Sequence, residues 1–448
     1  MRTSAVNSKY IFSKGKRFEG KFYLNDNSFL SMEVERHAEK TKPLSELATV
    51  FNPPVFKRQF CQQTERSVPY FQSSDVPVAE ERSQTFVYKG QAEALNLLVK
   101  KGDILVTGFG TIGNTRLVSK YQNGTCYANN VCRIRTNDGI YRGYVYAFLS
   151  SKFGVSQLNN NASGSVVRYI EAPGIKKTLV PNFPESFQKE VDDLIQESVR
   201  LREEATEALE EAKHRIEELF PNIQTENIGI VRSSEIFTSL GKRFEALFHQ
   251  SAGKEYDSYI KENFQWESLS TMATVSRPDL FKRNYVKNGL MFFGGRDIFL
   301  STPKSEKFVS KTKTPDISSL VISEGTILMP RSGTIGEVAI ATSQHAQKLA
   351  SEHVIRISAD NILRAGYLYA FLSSSIGKAL IQRYIFGSVI QHVEPHQLNH
   401  IPIPVLEEEE MKVISDLAIS NKDKLGQAGE LENMAIKMVE DEIEKWNH

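Results

Sequence analysis

Apolar and polar positions alternate in short bursts along most of this chain, then twice give way to a helical rhythm sustained over a long stretch. Between 43 and 180, β-branched or aromatic runs at 47–51, 68–71, 85–88, 103–107, 116–118 and 131–134 are separated by Gly, Asn and Pro, a pattern that predicts strands. Segments 93–99, 144–149 and 153–158 predict short helices. The pattern is α+β, with strands expected to pair mostly with near neighbours. From 185 to 220 there is no Gly or Pro, and Val191, Leu194, Ser198, Leu201, Ala205, Ala208, Ala212 and Leu219 mark a seam at spacings of three and four with one gap. That seam predicts a coiled-coil-like helix whose alanines suit a close partner. Segment 405–446 repeats the design, with Met411, Ile414, Ala418, Asn421, Leu425, Ala428, Leu431, Ala435, Met438 and Trp446 near one face. At 1.5 Å per residue each helix spans roughly 55 Å, enough to hold two domains a fixed distance apart.

The strands and helices come in two sets. Gly102-Asp103-Ile104-Leu105-Val106-Thr107-Gly108-Phe109-Gly110-Thr111-Ile112-Gly113 returns 223 positions later as Gly325-Thr326-Ile327-Leu328-Met329-Pro330-Arg331-Ser332-Gly333-Thr334-Ile335-Gly336. At that same offset Gly143-Tyr144-Val145-Tyr146-Ala147-Phe148-Leu149-Ser150-Ser151 meets Gly366-Tyr367-Leu368-Tyr369-Ala370-Phe371-Leu372-Ser373-Ser374. Gly164-Ser165-Val166 meets Gly387-Ser388-Val389, Glu171 meets Glu394, and Pro181 meets Pro404. Upstream the offset drifts, as loops of unequal length require, but Lys16-Arg17-Phe18 still matches Lys242-Arg243-Phe244 and Phe56-Lys57-Arg58 matches Phe281-Lys282-Arg283. The second copy predicts strands at 326–329, 338–341 and 354–357 and helices at 367–372 and 376–383. The period is far longer than the roughly 20 to 50 residues of a solenoid unit. Two tandem domains are expected at 1–181 and 222–404, each followed by a long helix, at 182–221 and 405–448.

Composition adds a division of charge. The net charge is only +1, yet segments 182–221 and 405–448 each hold 12 acidic against 5 basic residues, −14 together, so the remainder carries +15. Basic domains joined by acidic helices have the profile of a nucleic-acid binder. Three cysteines, Cys61, Cys126 and Cys132, all in the first copy, form no repeated disulfide framework and no four-ligand metal site. No secretory leader or bilayer-length apolar run is evident, so a cytoplasmic protein is expected.

Catalytic signatures are weak. Asn52-Pro53-Pro54-Val55 is like the Asn-Pro-Pro-aromatic loop of amino-methyltransferases, but Val55 replaces the aromatic and no Gly-rich cofactor loop precedes it. The Gly-Thr-Ile-Gly turns lack the lysine of a phosphate-cradling loop and run from strand to strand. Pro278-Asp279 and Pro315-Asp316 are not followed by the Glu-x-Lys of a metal-dependent nuclease. Neither an enzyme nor a cofactor is expected. What remains is a set of polar and basic loop residues: Lys57, Arg58, Ser73, Arg82, Thr111, Asn114, Asn129, Asn130 and Arg168 in the first copy, and Arg277, Lys282, Arg283, Arg296, Arg331, Ser332, Thr334, His353 and Gln391 in the second. Arg, Asn, Gln and Ser are the types that read base edges, while Lys mainly meets phosphates. Three readings stand on the residues: a DNA sequence reader, a methyltransferase using Asn52, and a protein-binding scaffold whose coiled coil dimerises.

The two-repeat layout, the Gly325–Gly336 strand-turn-strand, the Gly-Tyr-x-Tyr-Ala-Phe-Leu-Ser-Ser helices and Ile401-Pro402-Ile403-Pro404-Val405-Leu406-Glu407-Glu408 ahead of a long helix together resemble the specificity (S) subunit of type I restriction–modification systems. The resemblance implies two target-recognition domains, each reading one half of a split double-stranded DNA site. It implies that the long helices pair antiparallel as a spacer and dock two modification (methyltransferase) subunits. The S subunit of that family is itself not catalytic; methyl transfer belongs to the modification subunits and cleavage to a restriction subunit. The first copy has Thr107-Gly108-Phe109 where the second has Pro330-Arg331-Ser332, so a role for Arg331 is expected to have no counterpart there. Glu409-Glu410 stands where glutamine is common in the family, which keeps an S-like subunit of another phage-defence complex as an alternative. Similar domains on a paired spacer are expected about a pseudo-two-fold axis, with half-sites one or more turns of roughly 34 Å apart. Because the loops of the copies differ, the half-sites are expected to differ too.

Overall fold

The computed structural model describes residues 8–13, 18, 23, 25–79, 83, 85–164, 167–223, 230–239 and 241–447. The early basic residues Lys14, Lys16, Arg17 and Lys21, the loop residue Arg82 and the pair Ser165-Val166 lie outside them. The chain divides into two compact units, Met1–Glu203 with Ala428–His448, and Glu204–Gln427.

In the first unit a four-stranded antiparallel sheet has the order Ala48–Phe51, Val131–Thr136, Ile104–Thr107, Thr115–Leu117. Side chains of a strand alternate between faces. Ile104 and Val106 accordingly join Val50, Ile134 and the helix residues Tyr144, Phe148 and Phe153 in one core, while Leu105 turns to the other face to meet Phe71, Val118, Tyr127 and Val131. A second sheet runs Phe60–Cys61, Phe86–Tyr88, Ser67–Phe71, Cys126–Tyr127, its last pair parallel. Arg133 lies buried between the sheets, donating to the carbonyls of Leu97 (3.0 Å), Tyr127 (2.9 Å), Ala128 (3.2 Å) and Val131 (2.6 Å). Burial lowers the guanidinium to about 10, against the opposing influence of Cys126, Cys132 and Asp103 nearby.

The second unit repeats the plan. Its antiparallel sheet is Ala273–Ser276, Val354–Ala359, Ile327–Pro330, Ala339–Ile340, and its second sheet is Tyr285–Val286, Phe308–Val309, Leu290–Phe293, Leu349–Ala350. Arg356 takes the place of Arg133 and donates to Leu320 and Ala350, both at 3.0 Å. In both units a helix tyrosine is tied to the strand leading to the long helix: Tyr144 donates to the Pro181 carbonyl and Tyr367 to that of Pro404, each at 2.7 Å.

The strands and helices expected from sequence are present, with two differences. Pairing is not mostly local, since Ala48–Phe51 and Ala273–Ser276 both pair with strands far along the chain. The helix expected at 93–99 is Lys89–Ala94, because Asn96 takes a left-handed conformation (φ 51°) and Leu98 turns into a bridge with Cys126.

The long helices are Glu185–Glu217, 33 residues, and Glu408–Glu444, 37 residues. In the first unit Val191 and Ile195 share a core with Ala435, Val439 and Ile443, and Ser198 Oγ donates to the Ala428 carbonyl at 2.7 Å. In the second unit Asn421 Nδ2 donates to the Ala205 carbonyl at 2.8 Å and Arg215 meets Glu410 at 3.2 Å, so the segments there run antiparallel. The buried seam uses Ile195 and Ile216 in place of Leu194 and Leu219. Among the described residues no helix is long and apolar enough to cross a membrane.

Candidate nucleic-acid interface

Three loops meet at the end of the first unit's central sheet, although they lie far apart in sequence. The strand Ile104–Thr107 runs into Gly108, whose N–H donates to the Asn130 carbonyl (3.1 Å) and whose carbonyl accepts from the Ile170 N–H (2.8 Å). A Cβ at Gly108 would collide with the Ile170 carbonyl oxygen, so the close approach needs glycine there. The turn is fastened from inside: Asn114 N–H and Gly113 N–H both return to Thr107, at 3.0 and 3.1 Å. Ile112 is buried beneath it and Thr111 exposed above. Phe109 stacks on Tyr169 at 5.4 Å. Asn52 completes the junction, donating to the Asn129 carbonyl (3.2 Å) and accepting from the Ala172 N–H (2.8 Å). Its amide is thus committed to the backbone, as a proline-turn anchor would be. Thr111, Asn114, Asn129, Asn130 and Arg168 are thereby gathered on one edge, and Asn130 Oδ1 is buried there with no hydrogen-bond partner.

The second unit builds the same junction with other side chains. Arg331 N–H donates to the His353 carbonyl (2.8 Å) and its carbonyl accepts from the Val393 N–H (3.1 Å), the two bonds that Gly108 makes in the first unit. So Arg331 does have a backbone counterpart. Its side chain binds Glu394, Nε to Oε1 at 2.8 Å, and Arg277, standing where the first unit has Asn52, binds Oε2 of that carboxylate at 2.9 Å. Burial pushes the Glu394 carboxyl upward, but the two arginines outweigh it and hold it below its ordinary range. Ser332 bridges to His392, beside Gln391, and Thr334 is exposed on the turn.

A second group lies on the other sheet of each unit. Arg58 sits over the Tyr70 ring at 5.7 Å and Arg283 over Phe292 at 5.5 Å. Lys57 and Lys282 are exposed beside them. Ser73 opens a turn in which Asp75 accepts from the Gln72 N–H at 2.7 Å, and Arg296 precedes the equivalent Asp297, which accepts from the Gly294 N–H at 2.8 Å. Arg283 also pairs with the buried Glu352, which His353 approaches to 3.7 Å. Arg82 cannot be placed, lying outside the described residues.

Glu394 and the Phe109–Tyr169 stack were not among the sequence candidates. The signal for Glu394 was its fixed offset from Glu171. The edges offer hydrogen-bond donors and acceptors of several kinds, flanked by cations on aromatic rings. Among the described residues no group of His, Cys, Asp and Glu could hold a metal ion.

Comparison with known proteins bears on the second unit most directly. Residues 261–419 match the family model of the type I restriction modification DNA specificity domain. No curated protein matches the chain. Among solved structures, the type I restriction-modification system S subunit from M. genitalium is 12% identical, with 90% of this chain and 95% of that one covered and a TM-score of 0.34. The HsdS subunit from Thermoanaerobacter tengcongensis is 15% identical over 90% of this chain and 95% of that one, with a TM-score of 0.27. Its second repeat, at 261–419, is thus similar to the DNA specificity domain of type I restriction–modification systems.

Proposed function

We propose that this chain is the DNA-recognition subunit of a type I restriction–modification complex, reading an asymmetric bipartite site with one half per domain. The domains are those at 1–181 and 222–404, and the helices at 182–221 and 405–448 form the spacer and dock two methyltransferase subunits, with a restriction subunit in the full assembly. The chain itself supplies recognition and no catalysis, uses no cofactor and works in the cytoplasm.

The observation that carries this reading is the junction built twice on the same backbone bonds, Gly108 to Asn130 and Ile170, Arg331 to His353 and Val393, yet dressed with different side chains. A duplicated frame with unlike loops suits a reader of two unlike half-sites. In the first half Thr111, Asn114, Asn129, Asn130 and Arg168 face base edges while Lys57, Arg58, Ser73 and Arg82 hold phosphates. In the second, Ser332, Thr334, His353 and Gln391 face bases, Lys282, Arg283 and Arg296 hold phosphates, and Arg277 and Arg331 work from the carboxylate of Glu394.

Methylation mapping in cells expressing the chain with its neighbouring methyltransferase tests the reading. The expected result is a split, asymmetric motif whose halves change separately when 1–181 or 222–404 is exchanged for another domain. A stable complex that binds DNA but leaves it unmethylated would point to a defence complex without modification, and absence of DNA binding would overturn the reading. DNA affinity should fall steeply with salt if phosphate contacts carry it.

A further inference from the structure

Beside each three-loop junction stands a hairpin with an exposed apolar tip. In the second unit Phe386 and His392 exchange both backbone hydrogen bonds, at 3.0 and 2.9 Å. Between them Val389 is 93% and Ile390 69% exposed. In the first unit Ser163 and Tyr169 make the equivalent exchange at 2.8 and 2.9 Å, and Val167 is 64% exposed. A single exposed valine is ordinary on a protein surface; the same apolar tip at the same place in both repeats is not.

The glycines that open the two hairpins are constrained. Gly164 (φ 90°) and Gly387 (φ 101°) adopt left-handed conformations, and a Cβ on either would strike the carbonyl oxygen three residues on, that of Val167 or Ile390. His392 Nδ1 lies 2.9 Å from the Ile390 carbonyl, and its ring lies 4.0 Å from that of Phe386. The hairpins lean on the signature turns through the Phe109–Tyr169 and Ser332–His392 bridges. Neither 163–169 nor 386–392 contains a carboxylate, and besides serines the hydrogen-bonding side chains include Arg168, Gln391 and His392.

We infer that Val389 with Ile390, and Val167 in the first unit, are wedges that enter a DNA groove and unstack a base step in each half-site. The inference rests on the DNA-recognition reading above. An apolar point whose own hairpin carries no carboxylate, set among hydrogen-bonding groups, has the character of the side chains with which groove-binding proteins part stacked bases.

The test uses the full chain and short duplexes carrying the mapped motif, with 2-aminopurine placed at successive positions. Binding should raise fluorescence several-fold at one step in each half. Val389→Ser with Ile390→Ser should abolish the rise in the second domain's half and Val167→Ser in the other, with the salt dependence of binding and the melting temperature unchanged. A chain that binds no duplex would sink the underlying reading. Binding with no fluorescence rise, or with a rise that survives the serine variants, would sink the wedge alone. Serine variants that shed the methyltransferase subunits while keeping the rise would assign the tips to a protein partner and likewise overturn it.

Discussion

Arg331 donates from Nε to Glu394 Oε1 at 2.8 Å, while Arg277 holds the other oxygen of that carboxylate at 2.9 Å. The three side chains are only partly exposed, 23%, 15% and 28% respectively, so solvent screens the pairs incompletely. A double-mutant cycle of Arg331→Ala and Glu394→Ala should therefore show a coupling of about 1–2 kcal/mol in urea unfolding. Glu394→Ala should be the more harmful single change, because it leaves two guanidinium groups facing each other. Trp266 reports on the second unit once Trp446 is replaced by Phe. Additive effects would mean that Arg331 serves something other than this carboxylate.

His345 makes the second unit sensitive to mild acid. It is 5% exposed, its Nδ1 lies 3.1 Å from the Thr342 N–H and its Nε2 3.1 Å from the Ile298 carbonyl. Burial, with Lys348 nearby, lowers it to about 4, against a bond to Ile298 that favours the charged form. Since the folded value lies below the ordinary 6.5, the unfolded chain takes up the proton first. The contribution is whole above pH 6.5 and is lost progressively as pH falls towards 4, up to about 3 kcal/mol. Gln122 stands at the equivalent place in the first unit and accepts from the Ser119 N–H at 3.1 Å without titrating. His345→Gln should keep that kind of bond and flatten the second unit's stability between pH 7 and 4.5. An unchanged acid slope in urea midpoints would show that other groups set it.

The repeat made much of this arrangement legible from sequence. The fixed offset made Tyr144 equivalent to Tyr367 and Pro181 to Pro404, and the structure joins Tyr144 to Pro181 and Tyr367 to Pro404 by the same bond. The strand at 103–107 was legible too, and its period-two burial, Ile104 and Val106 on one face and Leu105 on the other, follows from local geometry. Which loops meet was not legible. Gly108, Asn130 and Ile170 are joined by backbone bonds, and a backbone N–H looks alike at every residue. Arg331 read as a free cation in sequence because its partner Glu394 arrives from 63 positions away.

Arg133 and Arg356 are equivalent in place but not in satisfaction. Arg133 reaches four carbonyls and leaves Nε buried without a partner, whereas Arg356 reaches two and leaves both Nε and Nη1 so. Removing Arg133 takes a donor from four carbonyls in a closed space, although that of Ala128 keeps the Val131 N–H at 3.1 Å; each carbonyl left unpaired costs about 1–3 kcal/mol, partly offset by no longer burying a cation. Arg133→Met should thus destabilise the first unit by roughly 3 kcal/mol. Arg356→Met should cost the second unit distinctly less, since the lost guanidinium was itself half unsatisfied. Urea unfolding followed through Trp446 and Trp266 separately checks the order, and a larger loss for Arg356→Met would refute this reading of the two clamps.

The long helices offer a pair whose effects should differ in sign. Ser198 Oγ donates to the Ala428 carbonyl and accepts from Arg202 at 2.8 Å, so its hydroxyl is fully used. Asn421, 3% exposed, donates to the Ala205 carbonyl but leaves Oδ1 buried with no partner. Ser198→Ala should cost about 1 kcal/mol, the net worth of a satisfied buried bond, and release Arg202 as well. Asn421→Leu loses one bond of similar worth but removes an unsatisfied amide oxygen and adds apolar contact, so its net effect should lie between zero and about 1 kcal/mol of stabilisation. Polar residues at such seams are often kept for register at the expense of stability, which is how Asn421 would persist in a helix that leucine would suit better. Urea midpoints of the two variants decide it: if Asn421→Leu destabilises as much as Ser198→Ala, the amide is worth more to the helix pair than its single bond implies.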